Sequence, residues 1–202
     1  MKRFTKKSLI LSQFVEWFYI SGKVDRRVAK TQDAIKKAFL ELMNEKKFEA
    51  ITIQDISDRA NLNRSTIYLH YLDKYDLLDK LIDQHIQTLT EMDIWACEEE
   101  WEDAILIYVK YFEDNSLFFS TMLTSKAAAP SFRSKFLKYA RDGFKKELEG
   151  SNVNNKGLSD DIIVEFASNA YVGVLETWLK EGMTSTSQSL AKDLGILLER
   201  IL

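Results

Sequence analysis

Between residues 52 and 71 the chain reads TIQDISDRANLNRSTIYLHY, and its apolar positions fall into two short helical registers separated by a break. Ile53, Ile56 and Ala60 recur at three and four residues, a spacing that buries one helix face. Ile67 and Tyr71 repeat that spacing on the second stretch. There, at about 100° per residue, Ser65, Thr66 and Leu69 point the opposite way and Tyr68 and His70 fall on the flanks. Thr52 followed three residues later by Asp55 predicts the start of the first helix, the hydroxyl capping one free amide and the carboxylate answering from N3. Asn61, Leu62 and Asn63 form the turn, because asparagine tolerates left-handed backbone and Leu62 plugs the angle. The second helix opens at Arg64.

The same periodicity predicts helices along the rest of the chain. Ile35, Ala38, Phe39, Leu42 and Met43 place one from residue 27 to about 46, with Phe48 and Ile51 closing a small core behind it. Asp73 and Asp76 form a second capping pair, opening a helix to about Leu89 that carries Leu77, Leu78, Leu81, Ile82 and Ile86. Further helices are expected near 100–113 and 115–125, and from Pro130, which suits a first turn, to about Glu149. The segment 150–159, GSNVNNKGLS, is the clearest loop. Two last helices follow at 160–180 and 187–202, with Gly173 permitting a close helix approach. Residues 1–22 are a basic start and an apolar run. Gln13 and Glu16 interrupt that run, no small-residue cleavage site follows, and it is shorter than the roughly 18 residues of a membrane span. An added helix packing Leu9, Phe14 and Phe18, or a plain extension, is expected in place of a membrane or export segment. Lys2, Arg3, Lys6 and Lys7 are either a basic arm for phosphates or a solvated charge cluster.

Composition narrows the class. One proline and seven glycines in 202 residues point to an almost wholly helical protein. The single cysteine, Cys97, excludes a disulfide framework and a cysteine metal site, and suits a reducing cytoplasm. No zinc spacing or phosphate loop occurs, and neither histidine has a nucleophile or second ligand at useful spacing, so no enzyme chemistry, metal or cofactor is expected. The net charge of −3 divides unevenly: residues 1–80 hold 16 basic and 11 acidic side chains, residues 81–202 hold 12 and 20. A basic head on an acidic body orients the molecule on a polyanion.

The outer face of the second short helix is small, polar or methyl-bearing, and so fits a major groove about 12 Å wide. A plain helical hairpin would account for its inner face equally well, but not for Arg, Ser, Thr, Tyr and His massed on about two turns. Over residues 28–89 the chain resembles the N-terminal domain of the tetracycline-repressor (TetR) family. The likeness rests on a long first helix, the block ITIQDISDRANL, then NRSTIYLHYLDKYDLL with its Thr-aliphatic-Tyr core, His-aromatic exit and following lysine. Asn61 and Ser65 stand where that family often has glycine, and Tyr75 replaces a common acidic residue.

The resemblance implies an all-α fold. Residues 1–26 would be an extension, residues 27–72 a three-helix helix-turn-helix DNA-binding domain, and residues 73–202 a larger effector-binding and dimerisation domain. It implies a DNA face of Thr52, Gln54, Arg64, Ser65, Thr66, Tyr68, Leu69, His70 and Lys74. Gln54, Arg64, Ser65 and Leu69 are the candidates for base edges, and the others for phosphates. Lys74 lies in a first helical turn, where a cation opposes the helix dipole, so a phosphate partner would explain it. The last two helices would pair with their copies in a homodimer through Phe166, Ala170, Val174, Leu190, Leu194, Leu197 and Ile201, the alternative being burial within one subunit. Trp95, Trp101, Tyr108, Phe112, Phe119, Met122, Tyr139, Tyr171 and Trp178 are candidates for a pocket, although each taken singly also suits a core. An apolar or aromatic effector is expected, neutral or cationic because no buried basic residue can be picked out. The implied function is a cytoplasmic repressor bound to a palindromic operator and released by its ligand. An activator controlled by a protein partner is the alternative, since an aromatic-lined cavity and an aromatic core look identical as strings.

Overall fold

The computed structural model describes residues 26–96, 100–150 and 157–202, apart from the side chains of Ile94 and Trp95. The expectations for residues 1–22 and for most of the 150–159 loop lie outside these residues. Among the described residues the elements are nine α-helices and one 3-10 turn. They are α1 Arg26–Glu45, the turn Phe48–Ala50, α2 Ile53–Ala60, α3 Arg64–Tyr68, α4 Lys74–Ala96 and α5 Trp101–Asp114. After them come α6 Ser116–Thr124, α7 Ala129–Gly150, α8 Asp160–Lys180 and α9 Ser187–Ile201.

Helices α1 to α3 make the head. Ile35, Phe39, Ile56 and Ile67 are wholly buried, and Phe48, Ile51 and Tyr71 close the core from the connecting turns. Arg59 clamps α2 to α1 through a two-pronged ion pair with Glu45, at 2.8 and 2.6 Å. In the body α9 packs along α5 and α7 along α8, while α6 lies across α7, α8 and α1. The α5–α9 contact is close enough that a Cβ added to Gly195 would stand 2.9 Å from the backbone of Glu102. Gly173 meets nothing within 4 Å, so the close helix approach within this chain belongs to Gly195.

Two element lengths differ from expectation. Helix α4 continues past Leu89 to Ala96, because Met92 and Ala96 extend its buried stripe. Helix α3 ends at Tyr68, yet Leu69 and Tyr71 still donate to Ser65 and Ile67 carbonyls, so the turn remains helical in its hydrogen bonding.

Head and body share one continuous apolar core. At their junction Lys36 of α1 donates to Gln84 of α4 at 2.5 Å, and Asn44 of α1 donates to Thr121 of α6 at 2.7 Å. His85 of α4 stacks on Phe118, with centroids 3.7 Å apart, and is bonded to the Tyr111 hydroxyl at 2.7 Å. Phe118, Phe119, Phe112, Phe132 and Phe136 then continue edge-to-face or stacked into the body. A movement of α4 is therefore felt in both halves through packed rings, which do not compress.

Candidate nucleic-acid interface and body cavity

The start of α2 is closed by a complete capping box. The Thr52 hydroxyl accepts from the Asp55 amide at 3.1 Å, and Asp55 accepts from the Thr52 amide at 2.7 Å. Lys46 adds an ion pair to Asp55 at 2.8 Å; this lysine and the Thr52 donors hold the carboxyl well below the usual range. The turn to α3 passes through Asn61 at φ 53°, ψ 48°, the left-handed conformation that asparagine bears better than other side chains. Ser57 donates to the Leu62 carbonyl at 2.6 Å and pins the turn from inside.

This geometry presents α3 outward. Ile67 is fully buried, whereas Leu69 is 81% exposed and Tyr68 45%. Arg64 and Ser65 are exposed beside them, as are Thr52 and Gln54 at the start of α2, while Thr66 and His70 are half-buried. Arg64 does not wave freely: Nη2 donates to the Tyr68 hydroxyl at 2.9 Å and the guanidinium lies 5.4 Å from that ring's centre. Gln54 is braced by Asp58 at 2.7 Å. Leu72, 80% exposed, and Tyr75, 58% exposed, follow α3 in the chain and are absent from the sequence-derived set. An exposed leucine just outside a periodic stretch carries no local signal that distinguishes it.

Lys74 requires a correction. Its ammonium donates to the carbonyls of Phe48, Glu49 and Ile51 at 2.9, 2.9 and 2.8 Å, and lies 4.8 Å from the centre of the Phe48 ring. All three donors are used, so its place in the first turn of α4 is explained by capping the 3-10 turn, without a phosphate. The second capping pair also differs in detail. Asp73 accepts from the amides of Tyr75 and Asp76, but Asp76 reaches back to the Leu72 amide instead of to Asp73.

In the body, a cavity of about 280 Å³ opens between α4, α5, α7 and α8. Of the aromatic candidates, Trp101, Tyr108, Tyr139 and Tyr171 line it. Phe112, Phe119 and Met122 do not: they are fully buried in the ring cluster above it. Trp178 is buried and donates to the Ser185 carbonyl at 3.0 Å, which makes it a core residue, and the Trp95 side chain lies outside the described residues. The lining also includes Phe144, Gly143, Lys146, Glu147 and Asp93, with Ile105 and three alanines. Sequence reasoning missed Asp93, whose only local signal is a carboxylate directly after Met92 on the buried stripe of α4. The Tyr108 and Tyr139 hydroxyls both donate to Asp93 Oδ1 at 2.7 Å. Burial and then their negative or hydroxylic neighbours push both phenols upward, and burial with Asp93 does the same to Tyr171, so all three remain donors.

Along α8, Ile162, Phe166, Ala170 and Val174 form an exposed stripe at four-residue spacing, and on α9 Ile196 and Leu197 are exposed. Leu190 and Leu194 are not part of it. Both are buried within the single chain, on the inner face of the helix that packs against α5, and Ile201 is half-buried. The sequence set thus mixed two faces of α9, because a helix buried on one side and apolar on the other gives no single stripe.

Residues 35–81 match the family described as bacterial regulatory proteins of the tetR family, and residues 99–200 match a transcriptional regulator C-terminal region. An uncharacterised helix-turn-helix regulator of Bacillus subtilis, YxbF, is 44% identical over 61 residues, which are 30% of this chain and 16% of that protein. DhaS of Lactococcus lactis, an activator of the dhaKLM operon, is 26% identical over 91 residues, covering 44% of this chain and 46% of DhaS. The chain therefore matches less than half the length of either relative. Among solved structures, a TetR regulator from Streptococcus agalactiae superposes with TM-score 0.64 at 26% identity, over 86% of this chain and 96% of that one. A dihydroxyacetone kinase operon activator DhaS superposes with TM-score 0.60 at 19% identity, over 85% and 96%, a likeness of fold.

Proposed function

From the fact that this chain belongs to the TetR family of transcriptional regulators, we propose that it binds a palindromic DNA operator as a homodimer and is released when a small molecule enters the body cavity. The observation that carries the DNA reading is the outward face of α3. A helix only five residues long presents Arg64, Ser65 and Tyr68, followed by an 81%-exposed Leu69, beside a helix whose start is closed by a complete capping box. Leaving that leucine in water is unfavourable unless something apolar, such as a thymine methyl, meets it. Thr52, Gln54, Thr66 and His70 surround it and supply hydroxyl, amide and imidazole groups for phosphates and base edges.

The exposed stripe on α8 and α9 supports a dimer in which these helices pair with their copies. Two recognition helices on one face of a duplex must then sit about 34 Å apart, or a multiple of it. Helix α4 starts beside α3 and ends at the cavity, so a ligand that displaces its far end changes that separation. For each tenfold loss of DNA affinity the ligand must favour the released form by about 1.4 kcal/mol. An apolar or aromatic compound fits the lining. The likeness to DhaS, an activator, favours a second reading in which the sign of regulation is positive. Selection of bound duplex from a random pool tests the DNA reading: a palindrome is expected, and recovery of unrelated sequences alone would overturn it. Transcription from a promoter carrying the selected site then decides the sign.

A further inference from the structure

Among the described residues the cavity contains a carboxylate without a paired counter-charge. Asp93 Oδ1 accepts from two tyrosine hydroxyls, while Oδ2 accepts no hydrogen bond and neither oxygen makes an ion pair among the described residues. The Tyr171 hydroxyl also faces the cavity and donates to no described group. Lys146 and Glu147, adjacent on α7, line the mouth with opposite charges, and both are exposed to solvent that screens them. The uncompensated charge inside is therefore negative. Around it stand the rings of Trp101, Tyr108, Tyr139, Phe144 and Tyr171, whose faces attract cations and whose apolar area binds a flat body.

We propose that the cavity takes an organic cation, an ammonium or amidinium group on a flat apolar body, with Asp93 Oδ2 as its counter-ion. Two hydroxyls on Oδ1 orient the carboxylate and leave the second oxygen directed to the ligand, a preorganised anion that needs no rearrangement on binding. A neutral ligand would leave the charge uncompensated in a partly buried site. An anionic one would meet Asp93 with only the exposed Lys146 to offset it. The inference rests on the reading of this cavity as the effector site, but binding and DNA release are separable measurements.

Three probes of one shape and different charge test it by calorimetry on the full chain: phenethylammonium, phenethyl alcohol and hydrocinnamate. The cation is expected to bind at least tenfold more tightly than either of the others, a comparison that needs no variant. In Asp93→Asn, whose amide oxygen still accepts from the tyrosines, that preference should vanish while the alcohol is unaffected. Equal or tighter binding of the alcohol or the anion, retention of the preference in Asp93→Asn, or no binding of the cation at millimolar concentration overturns the proposal. The same probes are then added to the complex with the selected duplex. Cation binding without DNA release keeps the ligand class and removes the release mechanism. Release by the alcohol or the anion keeps the release mechanism and removes the ligand class.

Discussion

Removing the ammonium of Lys74 and removing the guanidinium of Arg64 should have opposite signatures, although both are basic residues of the head. Lys74→Met deletes a charged donor shared by three carbonyls, of which only that of Phe48 keeps another described donor, the Ile51 amide. Charge-assisted bonds of this kind contribute more than neutral ones, so a loss of roughly 2–4 kcal/mol of stability is expected, with the salt dependence of DNA binding unchanged. Arg64→Ala, on an exposed face, should leave the melting temperature alone, weaken operator binding by about 1–3 kcal/mol and relax sequence choice. Thermal melts and a log Kd against log salt plot separate the two. A Lys74→Met variant that melts like the parent but loses one unit of salt slope would return that lysine to the phosphates.

His85 supplies a pH test at the same scale. Burial, and then the charge of Lys36, holds it down at about 4. An unfolded chain titrates histidine near 6.5. Between these values the unfolded state binds more protons than the folded one, so stability is complete above about 6.5 and falls as the pH drops toward 4. The loss is up to roughly 3 kcal/mol. Asp55, Asp76 and Glu45, held low by Lys46 with Thr52, by Lys80 and by Arg59, withdraw their contributions only below the ordinary carboxylate value of about 4. Urea titrations across the upper window should therefore show a slope in the parent that disappears in His85→Phe.

At the scale of elements, the seam between α5 and α9 is set by one missing methyl group. In Gly195→Ala the new Cβ would stand 2.9 Å from Cα and N of Glu102, backbone atoms that cannot swing aside as a side-chain tip would. Overpacking of this kind costs about 1–3 kcal/mol, which outweighs the gain of up to about 1 kcal/mol from replacing a helical glycine. Gly143→Ala, with nothing within 4 Å, should show the gain alone. A lower melting point for the first variant and a higher one for the second is the expected outcome.

For the whole molecule, the two sides of α9 make the assembly testable. Leu194 is 4% exposed and Leu197 51%. Leu194→Glu buries an unpaired charge and should unfold the protomer, with a penalty of several kcal/mol. Leu197→Glu should leave each protomer folded by circular dichroism, yet sediment as a monomer and lose operator affinity, since two half-sites are no longer linked. A folded dimer in Leu197→Glu, and likewise in Phe166→Glu, would move the interface off this face.

The sequence by itself determined the head, because its signals are local. The Thr52–Asp55 box, the Asn61 turn and the alternation of Ile67 with Leu69 each lie within a few residues, and periodicity assigns their faces directly. It also placed the starts and ends of α8 and α9, whose apolar stripes, and for α9 the Thr186 cap, are equally local. Tertiary structure alone decided what each apolar or charged side chain meets. Lys74 meets carbonyls 23 to 26 residues away, and Leu194 faces its own protomer while Leu197 faces outward. Tyr108, Tyr139 and Tyr171 line a cavity, whereas Phe112, Phe119 and Met122 fill a core. Burial depends on contacts brought together from distant helices, and a string of aromatic residues is the same string whether those helices close on one another or leave a space beside Asp93.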